Sequence, residues 1–191
     1  MLSLLPDPAA TVVAAAAFTG LRKGELRGLK WEDYSDGEIR VRRSVWNRHV
    51  SDPKTPSSKA PVPVISPLAK FLERYRLSVG NPQSGWMFAS RGKPPHLDNL
   101  ARRVIGPIFE KAGLPWYGWH AFRRGLATNL QRLGVSIKTA QALLRQADFA
   151  TAANYYVKAV DADSSKLCDG WKKRCAMKVQ WERSQQPTPT L

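Results

Sequence analysis

Strand-like alternation is confined to one stretch of this chain, and almost everything else repeats at helical spacing. After the turn signal Asp36-Gly37, residues Glu38, Arg40 and Arg42 alternate with Ile39, Val41 and Arg43. This period of two predicts a half-buried strand running on towards Val50. The turn-rich loop Asp52 to Ala60 follows, and Val62 to Ile65 supplies a second short strand that pairs back. Outside this window the spacing is three to four. Pro8 to Phe18 reads as a helix with Asp7 as N-cap and Pro8 at its first position. Gly20 breaks it, and Lys23 to Leu29 forms a short second helix. Leu68, Phe71, Leu72 and Tyr75 mark a helix after Pro67, and Leu100, Val104, Ile108 and Phe109 mark another over Leu97 to Ala112. His120 to Leu133 is closed by Gly134, and Ser136 caps Ile137 to Arg145. Ala150 to Val157 and Ser164 to Trp181 complete the set. The expected fold class is mainly α with a small antiparallel β-sheet near the N-terminus. At 191 residues the chain is sized for one domain.

Charge narrows the partner. The chain carries 30 Lys and Arg against 15 Asp and Glu, a net +15. Such an imbalance repels itself on folding and points to a polyanion. Nucleic acid fits best, because each phosphate neutralised by a cation releases condensed counterions. The basic residues are spread along the chain, whereas a membrane surface calls for one dense basic or amphipathic segment. The Val- and Ala-rich run from Thr11 to Phe18 is too short to span a bilayer and lacks the flanks of a secretory signal. Cys168 and Cys175 fall in one expected helix and read as reduced thiols, and His49, His96 and His120 have no metal-ligand spacing. The expected compartment is therefore cytoplasmic.

Four stretches carry candidate chemistry. They are Thr19-Gly20-Leu21-Arg22-Lys23-Gly24-Glu25-Leu26, then Pro53-Lys54-Thr55, then His120-Ala121-Phe122-Arg123-Arg124, and last Leu143-Leu144-Arg145-Gln146 with Tyr155-Tyr156 downstream. Each has an ordinary explanation when taken singly: a surface arginine, a loop lysine, a helix-face pair and core aromatics. Their order and gaps together resemble the catalytic domain of tyrosine recombinases, the phage integrase family, from about Pro8 to Asp161. The resemblance implies Arg22 and Arg123 as catalytic arginines, Glu25 as the carboxylate that helps hold Arg22, Lys54 as the lysine of the strand-to-strand loop, and His120 as the histidine of the H-x-x-R pair. It implies Tyr155 as nucleophile, nine residues after Gln146. Tyr156 stays the alternative, since neighbours on a helix point about 100° apart and only one can reach a phosphate.

The implied activity is site-specific DNA integration or excision. Attack on a phosphodiester builds charge on its non-bridging oxygens, and two planar guanidinium groups suit those oxygens. Tyr155 attacks, His120 accepts its proton, and Lys54 protonates the departing 5′-oxygen. The product is a 3′-phosphotyrosine that stores the bond energy, so the chemistry needs no metal and no cofactor. Gln146 stands where the family usually has His or Trp; its amide can hydrogen-bond a phosphate oxygen but carries no charge. Arg40, Arg42, Arg43, Arg102, Arg103 and Arg124 are candidate DNA contacts, with Arg48 and Lys172 to Arg174 beside them. Domain boundaries are expected at 1–183 for the catalytic domain and 184–191 for a disordered tail, without the helical N-terminal DNA-binding domain that family members usually carry. Double-stranded DNA is the expected partner, with self-association through the Ser164 to Trp181 helix. Two other readings stay open: a DNA-binding relative with weak catalysis, and a type IB topoisomerase-like relaxing enzyme. An RNA-binding module is disfavoured by the lack of a glycine-aromatic RNA-binding motif.

Overall fold

The computed structural model describes residues 1–47, 49–52 and 59–146. Helix α1 (Ala9–Thr19) is the centre of the core. Nine of its eleven residues are buried, so it is apolar on every side and not along one stripe. It packs against α2 (Lys23–Gly28), α3 (Ser66–Ser78) and α6 (Trp119–Arg132). Its start lies one residue later than the sequence suggests. Pro8 takes the N-cap position expected of Asp7, and Asp7 before it accepts from the Thr11 N–H at 3.2 Å and the Thr11 hydroxyl at 2.6 Å. Gly20 ends it in the left-handed region at φ +62°.

Asp36 and Gly37 both take positive φ, +54° and +73°, and join β1 (Tyr34–Ser35) to β2 (Glu38–Ile39). Two successive residues in that region match the right-handed twist of a hairpin. β5 (Val62–Pro63) pairs antiparallel with β2 on the other side. The strand expected to run from Glu38 towards Val50 is interrupted. β3 (Ser44–Trp46) and β4 (His49–Ser51) form a separate two-stranded sheet. Burial nevertheless alternates across the break, with Ile39 and Val41 buried and Arg40 and Arg42 exposed. The interruption has a local cause. The Arg40 N–H donates to the Asp33 carbonyl at 2.9 Å, and Arg43 folds inward onto the buried Asp33 carboxylate, with N–O distances of 2.6 and 3.2 Å.

The long helix expected over Leu97 to Ala112 runs without a gap over residues 97–111 but widens into a π turn midway. It comprises α4 (Leu97–Leu100), a π turn (Ala101–Ile105) and α5 (Gly106–Lys111). Pro107 has no N–H to donate to the Arg103 carbonyl and its ring crowds that carbonyl. The Gly106 N–H accordingly reaches back five residues to Ala101. α7 (Ile137–Leu143) is capped by Ser136, whose hydroxyl accepts from the Thr139 N–H at 3.1 Å. The helices expected over Ala150 to Val157 and Ser164 to Trp181, Cys168, Cys175 and the tail lie outside the described residues. Among the described residues no helix is long and apolar enough to cross a membrane.

Gly28 is set by close approach. A Cβ built there would lie 2.6 Å from the Arg43 carbonyl oxygen, where α2 meets the β3 edge. Gly28→Ala is therefore expected to destabilise the protein by about 1–3 kcal/mol. Gly125 sits mid-helix in α6 with nothing within 4 Å of its Cβ position. Gly125→Ala is expected to stabilise by about 0.5–1 kcal/mol through helix propensity. Thermal unfolding of the two variants should show midpoints moving in opposite directions.

Candidate active site

The site is assembled at the junction of α1 and α2. Arg22 is the N-cap of α2, and Glu25 is its third helical residue. The Glu25 carboxylate turns back on the cap, accepting the Arg22 N–H at 2.8 Å and the Arg22 guanidinium at 2.8 Å. Its second oxygen also accepts from Arg145 at 2.9 Å, across 120 residues of sequence. Arg145 follows the end of α7, so this ion pair ties the segment after α7 to the start of α2. The Glu25 side chain is 4% exposed and that of Arg145 1%, whereas Arg22 remains 39% exposed. Burial alone would raise the Glu25 pKa. The Arg145 charge and the hydrogen bonds and charge of Arg22 outweigh it and hold the carboxyl below its ordinary 4.5.

Arg123 reaches the same junction from α6. One terminal nitrogen donates to the Gly20 carbonyl at 2.8 Å and the other to the Leu144 carbonyl. The guanidinium plane is thereby fixed two residues from Arg22 and one from Arg145. Gly20 is required here: its positive φ turns the chain, and a Cβ would meet Leu144 and Leu126 methyls at 3.0 and 3.1 Å. His120 lies one turn before Arg123 on α6 and is exposed. Desolvation, then the charges of Arg123, Arg124 and Arg22, push its imidazole below the ordinary 6.5. Arg22 and His120 share the lining of a cavity of about 520 Å³, whose other walls include Trp46, Trp116 and Trp119.

Arg22, Glu25, His120 and Arg123 thus converge. Gln146 lies next to Arg145 and is buried, 7% exposed, with its main-chain carbonyl accepting from the Gln141 amide at 3.1 Å. Lys54, Arg48, Tyr155, Tyr156 and Lys172 to Arg174 lie outside the described residues. Of the expected DNA contacts, Arg40, Arg42, Arg102, Arg103 and Arg124 are exposed. Arg43 is a correction. Its guanidinium grips Asp33 and donates to the Gly28 carbonyl at 3.1 Å, so it supports the fold and does not face outward. The reading of the sequence gave Arg145 no role. An arginine after two leucines was its only signal, and its partner lies too far along the chain to be inferred. Among the described residues no three His, Cys, Asp or Glu side chains are grouped so as to hold a metal ion.

A neutral imidazole at neutral pH is the chemical consequence of this charge cluster. In an NMR titration His120 should therefore titrate below 6.5, and Arg124→Gln should move it upward. A midpoint at or above 6.5 would contradict the arrangement. Because its folded pKa is depressed, the unfolded chain takes up the proton first, and stability should fall as pH drops below 6.5.

Comparison with known proteins places these features in a family. Residues 6–162 match the model of the phage integrase family. A XerC-like tyrosine recombinase of Caldanaerobacter subterraneus subsp. tengcongensis is 30% identical over an alignment of 170 positions, and the match covers 74% of this chain and 43% of that relative. The Tn1549 transposon integrase, solved in complex with transposon right end DNA, superposes with a TM-score of 0.69 at 20% identity. The match covers 87% of this chain and 62% of that one. XerA recombinase gives 0.63 at 24% identity, covering 83% and 55% respectively. The chain spans less than two thirds of each of these relatives. At such identities the two structural likenesses speak for the fold, a tyrosine recombinase catalytic domain with mainly helical architecture and small antiparallel sheets. The family match, extending across most of the sequence from before α1 to beyond α7, makes this chain a member of the phage integrase family.

Proposed function

We propose that this chain cleaves and rejoins double-stranded DNA at a specific site, for integration or excision, through a tyrosine nucleophile. The observation that carries this reading is the shared cavity of Arg22 and His120, with Arg123 anchored behind it, in a chain of net charge +15. A phosphodiester seated there meets guanidinium donors held in place before it arrives. Preorganised donors of this kind are usually the largest catalytic term, because no reorganisation is needed when charge develops on the phosphate.

Tyr155 attacks phosphorus through its phenolic oxygen, forming a 3′-phosphotyrosine as the bond to the 5′-oxygen breaks. His120 is kept neutral by its cationic neighbours and accepts the phenolic proton. Lys54 donates a proton to the departing 5′-oxygen. Rejoining reverses these steps with a new 5′-hydroxyl. Gln146 contributes an uncharged amide on the phosphate side. Exposed Arg40, Arg42, Arg102, Arg103 and Arg124 neutralise backbone phosphates, so affinity should fall steeply with salt. Assembly of several protomers on DNA through residues 164–181, with the catalytic domain ending near 183, completes the proposal. The setting is the cytoplasm of a bacterial host.

The test is covalent trapping. Nicked duplexes drawn from DNA that flanks the gene release a short strand after cleavage, so rejoining fails and the adduct persists. The wild-type protein should form an adduct on one such duplex. Tyr155→Phe should abolish it with DNA affinity little changed, and Arg22→Ala should slow it by about 10²–10³-fold. An adduct that survives in Tyr155→Phe moves the nucleophile to Tyr156. A wild-type protein that binds one duplex specifically yet never forms an adduct is a DNA-binding relative, and the catalytic reading fails.

A further inference from the structure

Arg145 is the feature that the mechanism above does not use. It is among the largest fully buried side chains of the molecule, and it is charged. It holds a left-handed φ of +52°, a region that disfavours any residue with a Cβ. A buried cation on strained backbone persists only when surrounding structure determines it. That structure includes the Glu25 carboxylate, bound at 2.9 Å. The same carboxylate binds Arg22 through its other oxygen at 2.8 Å.

We propose that Arg145 is a positioning residue for the phosphate-binding Arg22, acting through Glu25. This inference rests on the recombinase reading. Arg145 does two things. It fixes the carboxylate plane, so that one oxygen faces the Arg22 guanidinium while the other is shared by Arg145 and the Arg22 N–H. It also adds a positive charge against the Glu25 carboxylate, so that the carboxylate offsets less of the Arg22 and Arg123 charge that faces a phosphate. The burial of Glu25 works against its ionised form, and the Arg145 charge is the largest opposing influence. Without Arg145 the carboxyl pKa rises, and Arg22 loses the ionised Glu25 at a higher pH than in the wild type.

The arrangement also couples the two ends of the site. Arg145 adjoins Gln146 and follows Leu144, whose carbonyl holds Arg123. One short segment after α7 thus reaches both arginines.

The test compares Arg145→Met and Arg145→Lys with the wild type. Both substitutions keep an unbranched side chain on the strained backbone, so the comparison isolates the guanidinium. The first measurement needs no activity. In DNA-free protein, the ¹⁵N side-chain signals of Arg22, assigned with Arg22→Ala, report how tightly its guanidinium is held. Wild type should show restricted rotation, Arg145→Met faster rotation and Arg145→Lys an intermediate rate. Unchanged Arg22 signals in a folded Arg145→Met protein overturn the proposal. If Arg145→Met does not fold, Arg145→Lys decides by the same signals.

The second measurement uses trapping on phosphate and on a methylphosphonate at the cleaved position, which lacks one charged oxygen. Arg145→Met should slow adduct formation on phosphate at least tenfold and move the acid limb of the pH profile upward. On methylphosphonate its deficit should shrink in parallel with that of Arg22→Ala. A purely structural role would slow both substrates by one factor and overturn the proposal. Should wild type trap nothing, the recombinase reading fails, and the Arg22 signals still decide whether Arg145 positions it.

Discussion

One buried carboxylate organises this molecule. Glu25 accepts from the Arg22 main chain, the Arg22 guanidinium and the Arg145 guanidinium, all within 2.9 Å. An unpaired carboxylate in that position would cost several kcal/mol, and an unpaired Arg145 would cost as much. Each group offsets the burial cost of the other, so the pair favours bringing α2 and the segment after α7 together. Arg123 reinforces the closure by binding carbonyls on both sides, at Gly20 and Leu144. The candidate site is therefore a by-product of how the core is sealed, and its cations are held in place without any ligand.

The arginines divide by direction. Arg43, Arg123 and Arg145 point inward, and each meets a buried oxygen acceptor: the Asp33 carboxylate, main-chain carbonyls or Glu25. Arg22 is intermediate, paired at its base and open towards the cavity. Arg40, Arg42, Arg102, Arg103 and Arg124 point outward. A chain with twice as many basic as acidic residues can fold because its buried acids, Glu25 and Asp33, are used where cations are buried. The excess positive charge is left at the surface, where water and counterions screen it.

Much of this was legible from residues alone. The Asp36-Gly37 turn, the Ser136 cap, the apolar spacing of α3 and the Gly134 stop after α6 are local signals, and the structure places them within a residue or two of the expected bounds. Arg22, Glu25, His120 and Arg123 stood out as candidates because they fall in short ordered motifs, and the fold brings those four together. What was not legible depends on distant partners. The break after Ile39 follows from Asp33 capturing Arg43, and the burial alternation across it looks like an unbroken strand. The π turn follows from Pro107, which leaves the apolar period of the segment intact. Arg43 and Arg145 were misjudged or passed over because a basic side chain in sequence gives no sign of the buried carboxylate that will claim it.

The claim beneath the rest is that Glu25 is ionised and held by two arginines in the folded protein. A ¹³C-detected NMR titration of its side-chain carboxyl measures this directly. The midpoint should lie below the ordinary 4.5. The stabilisation from these contacts should then be complete above that value and lost as pH falls through the depressed one. A Glu25 carboxyl that titrates at or above 4.5 would mean that burial outweighs the arginines, and the arrangement described around Arg22 would be wrong.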